Sequence, residues 1–149
     1  FKFFNNSFLI IVWRDPRDIY VSTKEKSPYM PEFEINNKVG KHHKSFTLSH
    51  DISAFIDREK ILVNKCNFSK SEKILNLRFE DIVFEFENSI SHIENFLNLD
   101  LGDHKKIEKS LKLDRSKKNI CLWKNYKSQK EIQMISSELS DFMLKLDYH

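Results

Sequence analysis

The chain has 149 residues, 40% hydrophobic and 32% charged, a balance that excludes a disordered polymer and suits one soluble domain with a modest core. Net charge is +3, from 25 basic against 22 acidic residues, too even to argue for nucleic acid on charge alone but compatible with a small anion held by a few placed cations. The longest apolar run, Phe8 to Trp13, is far too short to span a membrane. Cys66 and Cys121 form no CxxC pair and no metal spacing, so free thiols in a reducing, cytoplasmic setting are expected.

Phe8 to Trp13 is a continuous, β-rich apolar run, predicted as a strand buried on both faces, as in a parallel sheet. It stops at Arg14-Asp15-Pro16. Asp15 suits an N-cap, Pro16 the first helical position, and Asp18 adds negative charge in the first turn, which predicts a helix of roughly two turns. Residues 25–49 are polar and irregular, with Pro28, Pro31, Gly40 and His42-His43, and read as a long functional loop. Ile52, Phe55, Ile56, Leu62, Val63 and Cys66 recur at amphipathic helix spacing.

Asn67 to Glu72 is a polar break, and Lys73 to Arg78 reads as a second strand. Phe86, Ile90, Ile93, Phe96 and Leu97 define another helix. Asp100 to Asn119 suggests a short helix around Ile107 to Leu111 and then a basic loop. Ile132, Ile135, Leu139, Phe142, Met143 and Leu146 form one stripe of a final helix, with Ser128 and Glu131 as a capping box. The order strand, helix, helix, strand, helix, helix predicts an α/β fold with a mostly parallel sheet.

The strand–Arg–Asp–Pro–helix junction is the first feature with chemistry. A helix start presents free backbone N–H groups, an adjacent Arg offers planar donors suited to phosphate oxygens, and ligands of open α/β sheets sit at strand C-terminal ends. Equally open is a bland reading, in which Arg14 pairs with Asp15 or Asp18 and only caps the turn. With Gly40 and Gly102 as the only glycines, a glycine-rich phosphate cradle cannot be written within these residues.

The segment Trp13-Arg14-Asp15-Pro16-Arg17-Asp18-Ile19-Tyr20-Val21-Ser22 resembles the 3′-phosphate-binding motif of the sulfotransferases that use the sulfuryl donor PAPS. The resemblance implies that Arg14 and Ser22 grip the donor's 3′-phosphate. Ser22 shares a helix face with Ile19, which permits it to point back toward the sheet edge. Lys73 to Val83, with the helix to Leu99, resembles the family's strand ending in Tyr-Glu-Asp followed by a helix. Here Phe79 replaces the Tyr, so it can stack on adenine but cannot donate a hydrogen bond. Glu80 and Asp81 are expected simply to cap the following helix.

Arg115 to Lys124 resembles the family's late basic loop, which precedes a Trp-Lys pair and the last helix. That likeness assigns Lys117 and Lys118, with Arg115 as a third candidate, to closure over the 3′-phosphate. The competing reading is a solvated charge run.

The implied fold is a partial P-loop-type three-layer α/β domain, a single incomplete sulfotransferase domain over residues 1–149 with its N-terminal P-loop half absent. The family's 5′-phosphosulfate loop and catalytic base would precede Phe1, so no catalytic residue is assigned and the segment alone is expected to be inactive. His42, His43 and His50 show no metal-ligand spacing. Tyr29, Phe33 and Phe46 could line an acceptor pocket or form the loop's own small core.

The function expected is transfer of a sulfuryl group from PAPS to an acceptor hydroxyl or amine, of a small molecule or carbohydrate, without a metal and without nucleic acid. The alternative is a non-catalytic PAP- or nucleotide-binding remnant or regulatory domain. A basic nucleic-acid-binding module is a further rival, disfavoured by the interspersed acidic residues.

Overall fold

The computed structural model describes residues 7–26, 51–66 and 72–149. It is mostly helical, with one small parallel sheet, and divides into two compact units: Phe1–Asp15 with Cys66–Ile120, and Pro16–Lys65 with Cys121–His149. No described helix is long and apolar enough to cross a membrane.

The first unit is organised by two strands. β1 (Leu9–Trp13) and β2 (Ile74–Arg78) pair in parallel, in register from Leu9 opposite Ile74 to Trp13 opposite Arg78. Both strands are rich in β-branched and apolar residues that fit a pleated surface. Trp13 closes the ladder. Its indole is buried, and Nε1 donates to the Asn76 Oδ1 at 2.8 Å. Burial of β1 on both faces does not hold: Leu9 is 38% and Val12 50% exposed. The described sheet contains only β1 and β2, so β1 has one paired edge and incomplete cover.

β2 runs directly into α3 (Phe79–Phe84), a short helix absent from the sequence expectation, and then into α4 (Phe86–Leu97). Val83, Phe86, Ile90 and Leu113 form a buried cluster, with Phe79, Ile82, Ile93, Ile107 and Ile120 packed against it. α4 ends at Asn98, whose φ of 50° is a left-handed cap that Asn tolerates well. The ambiguous stretch resolves into α5 (His104–Leu111), N-capped by the Asp103 carboxylate on the Lys106 N–H, and α6 (Leu113–Lys117). Lys112, at φ 50°, breaks the two apart. The expected basic loop is therefore partly helical, because burial of Leu113 in the cluster anchors a turn that local composition does not specify.

In the second unit, α1 (Pro16–Lys26) runs about three turns instead of two and takes in residues 25 and 26 of the expected loop. The rest of that loop, with Tyr29, Phe33, His42, His43, Phe46 and His50, lies outside the described residues. α2 (Ile52–Cys66) buries Phe55, Ile56 and Glu59. Leu62, expected on the same apolar face, is exposed, while Glu59 takes an inward place and pairs with Arg58. A 3-10 turn (Leu122–Asn125) leads to α7 (Gln129–Glu138) and α8 (Ser140–Lys145), which split the expected final helix at Leu139. The stripe itself is buried at Ile132, Ile135, Leu139, Phe142 and Met143.

Ser128 stands at the N-cap of α7, yet its side chain makes no capping bond, so the expected capping box does not form. The Glu131 carboxylate lies toward Tyr20 and Tyr126 instead, where it adds to burial in raising both phenol pKa values. Tyr20 packs between the rings of Phe55 and Tyr126 at 5.1 and 6.1 Å. Cys66 and Cys121 are both free thiols.

His104, at the start of α5, faces Glu94 at 2.8 Å and Glu87 at 2.9 Å, one carboxylate on each ring nitrogen. The bonds to Glu94 and then Glu87 raise its pKa above 6.5, while the His104 bond, followed by the Leu101 N–H, lowers that of Glu94. The imidazolium's stabilising effect is complete below its unfolded pKa and is lost as pH rises through the raised folded value; the Glu94 effect is lost as pH falls through the lowered one. The melting-temperature difference between wild type and His104→Gln should therefore be larger at about pH 6 than at about pH 9. Thermal melts of both proteins across that range check this.

Candidate functional site

The level end of the β1–β2 ladder sets the geometry. Trp13 and Arg78 are the last paired residues, and beyond them both chains turn into helix. Arg14 and Phe79 follow side by side, with the Arg14 guanidinium 5.4 Å from the centre of the Phe79 ring. One residue further, the Asp15 backbone N–H donates to Glu80 Oε1 at 3.2 Å. Glu80, in the first turn of α3, is buried, and its carboxylate accepts this N–H just beyond the last paired residues of the ladder.

Arg14 is half-buried. Its Nη2 donates to the Asn119 carbonyl at 2.6 Å, while its Nε is buried with no hydrogen-bond partner among the described residues. Among the described residues, no carboxylate lies within ion-pair distance of Arg14, which removes the reading in which it merely caps a turn through Asp15 or Asp18. A carbonyl satisfies a donor but does not neutralise a cation, so the positive charge remains available to an anion.

Asn119 ends the basic segment. Arg115, Lys117 and Lys118 lie in or just after α6, and all three are exposed. Lys117 approaches Asp114 loosely at 3.5 Å. Through Asn119, Arg14 is thus tied to the residue after Lys118. Phe79 is half-buried, engaged by the core cluster and by Arg14. A cleft of about 430 Å³ in the same unit is lined by Val83, Phe86, Glu108 and Lys117 among others; of the candidate residues, Lys117 alone borders it.

Within the second unit, Ser22 is half-buried on α1, one turn beyond Asp18. Asp18 is 1% exposed, and its two carboxylate oxygens accept the backbone N–H of Cys121 at 2.7 Å and of Trp123 at 3.2 Å. Cys121 has φ 60°, a left-handed conformation in which the Asp18 bond helps hold the chain. Arg17 lies 3.9 Å over the Trp123 ring and donates to the His149 carbonyl at 3.0 Å. The sequence offers Asp18 as first-turn helix charge or a partner for Arg14 and gives Arg17 no role; the partners found here lie more than a hundred positions away. No cluster of metal-ligating side chains occurs among the described residues.

The family model described as "Sulfotransferase domain" matches residues 2–145. No curated protein and no solved structure gives a significant match.

The Asp18 contacts predict a stability effect. Asp18→Ala removes the buried acceptor of two N–H groups and should cost about 3 kcal/mol, whereas Asp18→Asn keeps one acceptor oxygen and should cost less. Urea unfolding of the two variants beside wild type measures both values.

Proposed function

The chain belongs to the sulfotransferase domain family, and from that membership we propose that it anchors the 3′-phosphate of PAPS for sulfuryl transfer to an acceptor hydroxyl or amine. The observation that carries this reading is Arg14: a half-buried guanidinium at the C-terminal end of a parallel strand, with an unpartnered buried Nε and no carboxylate. A guanidinium in such a place suits an anion. PAPS, when bound, supplies the sulfuryl group; its 3′-phosphate is the feature that Arg14 fits.

In this reading Arg14 makes the charged contact, and Ser22, carried by the motif, adds a hydroxyl donor. Lys117 and Lys118, with Arg115, supply further positive charge from the segment that Arg14 holds through the Asn119 carbonyl. Their exposure suits residues that settle on a ligand. Phe79 lies against the guanidinium and can stack on the adenine. The acceptor is a small molecule or carbohydrate.

The test is calorimetric titration of PAP, with 5′-AMP as the control that lacks only the 3′-phosphate. Wild type should prefer PAP. Arg14→Ala should weaken PAP by about 30- to 150-fold, equivalent to about 2–3 kcal/mol, while leaving 5′-AMP nearly unchanged. Arg14→Lys keeps the charge but loses the planar fork, and should recover only part of the loss. Equal affinity for PAP and 5′-AMP in wild type would refute the assignment. The pair Lys117→Ala and Lys118→Ala should weaken PAP and reduce the salt dependence of its binding, which titrations at two ionic strengths measure.

A further inference from the structure

A parallel ladder satisfies each strand's N–H groups from the carbonyls of its neighbour. At the end of β1 that supply stops, because the partner chain has become α3 from Phe79 onward and its carbonyls turn into the helix. The Asp15 N–H would then be a buried donor without an acceptor, which is costly. Glu80 supplies the acceptor from its side chain, at 3.2 Å.

The amide that Glu80 binds is the peptide unit joining Arg14 to Asp15. That unit is planar, so fixing its N–H fixes the backbone torsion of Arg14 on its C-terminal side. This torsion, with the ladder bond pattern before it, sets the direction in which the Arg14 side chain leaves the chain. A carbonyl of a continued strand could accept this amide without any buried charge. What the carboxylate provides is an acceptor where the chain must turn, leaving Arg14 at the corner.

We propose that Glu80 is a positioning residue for donor binding, acting by holding the Arg14–Asp15 peptide and so aiming the Arg14 guanidinium. The inference rests on the anchor reading of Arg14 given above. Glu80 touches no ligand in this account; its effect passes through Arg14.

Two replacements separate reach from charge. Glu80→Gln keeps an oxygen at the same distance but loses the charge. Glu80→Asp keeps the charge but withdraws the oxygen by one methylene. PAP and 5′-AMP affinities are measured by calorimetry for both variants, for Glu80→Ala, and for each combined with Arg14→Ala. Expected are PAP affinity within about threefold of wild type for Gln, a loss of about tenfold for Asp and Ala, and little effect on 5′-AMP. In the Arg14→Ala background the same changes should add less than about twofold, because the two residues act as one unit.

A Gln variant as weak as Ala would overturn the proposal, since charge and not reach would then be responsible. So would undiminished PAP preference in Asp and Ala, or full additivity with Arg14→Ala. If Glu80→Ala fails to fold, the Gln and Asp pair decides alone. Wild type that does not distinguish PAP from 5′-AMP would instead refute the anchor reading, and this inference with it; wild type that does, with Glu80 variants unaffected, refutes this inference only.

Discussion

The structure around the candidate site depends on two strands of one parallel ladder stopping at the same level. Had β2 continued past Arg78, its carbonyls would have carried Asp15 further as strand, and Arg14 would have been one more residue of a sheet. Because both chains turn at once, their next residues meet as side chains instead of as backbone: guanidinium over ring, then amide to carboxylate. The corner is held by packing as well, since Phe79 belongs to the margin of the cluster around Val83 and Phe86. The arrangement therefore joins the unit's core directly to the direction of one cation.

Burial of charge separates Asp18, Glu80 and Arg17 from Arg14. Asp18 and Glu80 are buried and both accept backbone N–H groups, and Arg17 is buried against an indole and a carbonyl. Those contacts replace the water that each group gave up. Arg14 is less buried, yet its Nε is buried with no hydrogen-bond partner among the described residues. A charge that the fold satisfies is part of the scaffold. One that the fold half satisfies has free energy left to offer a ligand.

Much of this was legible in the sequence where the signal is local. β1, the helix start at Pro16, α2, β2 and α4 follow from apolar period and from the residues at their ends, and they stand within a residue or two of the expected places. α3 was not legible, because Phe79 to Phe84 follows a strand with no breaking residue between them. Nor was the division at Leu139, since its buried side chain continues the stripe while its backbone leaves the helix. Arg14 could be singled out from its position in a motif, but its surroundings could not: the carbonyl it binds is 105 positions away, and the carboxylate beside it is 65 positions from Asp15. Glu80 and Asp18 read as ordinary first-turn acids, and only tertiary structure distinguishes them from neighbours such as Asp81, which stays partly exposed.

The two tryptophans fall one to each compact unit. Trp13 is buried at the end of the ladder and hydrogen-bonded to Asn76, while Trp123 lies under a guanidinium in the turn that Asp18 holds. The chain thus carries two tryptophan fluorophores in unlike surroundings, one buried beside an amide and one beside a cation. Replacing either by Phe leaves emission that reports a single unit. The order in which the two units lose structure, and whether a ligand's arrival is felt in one or in both, becomes readable from light alone, without attaching a dye to either exposed surface.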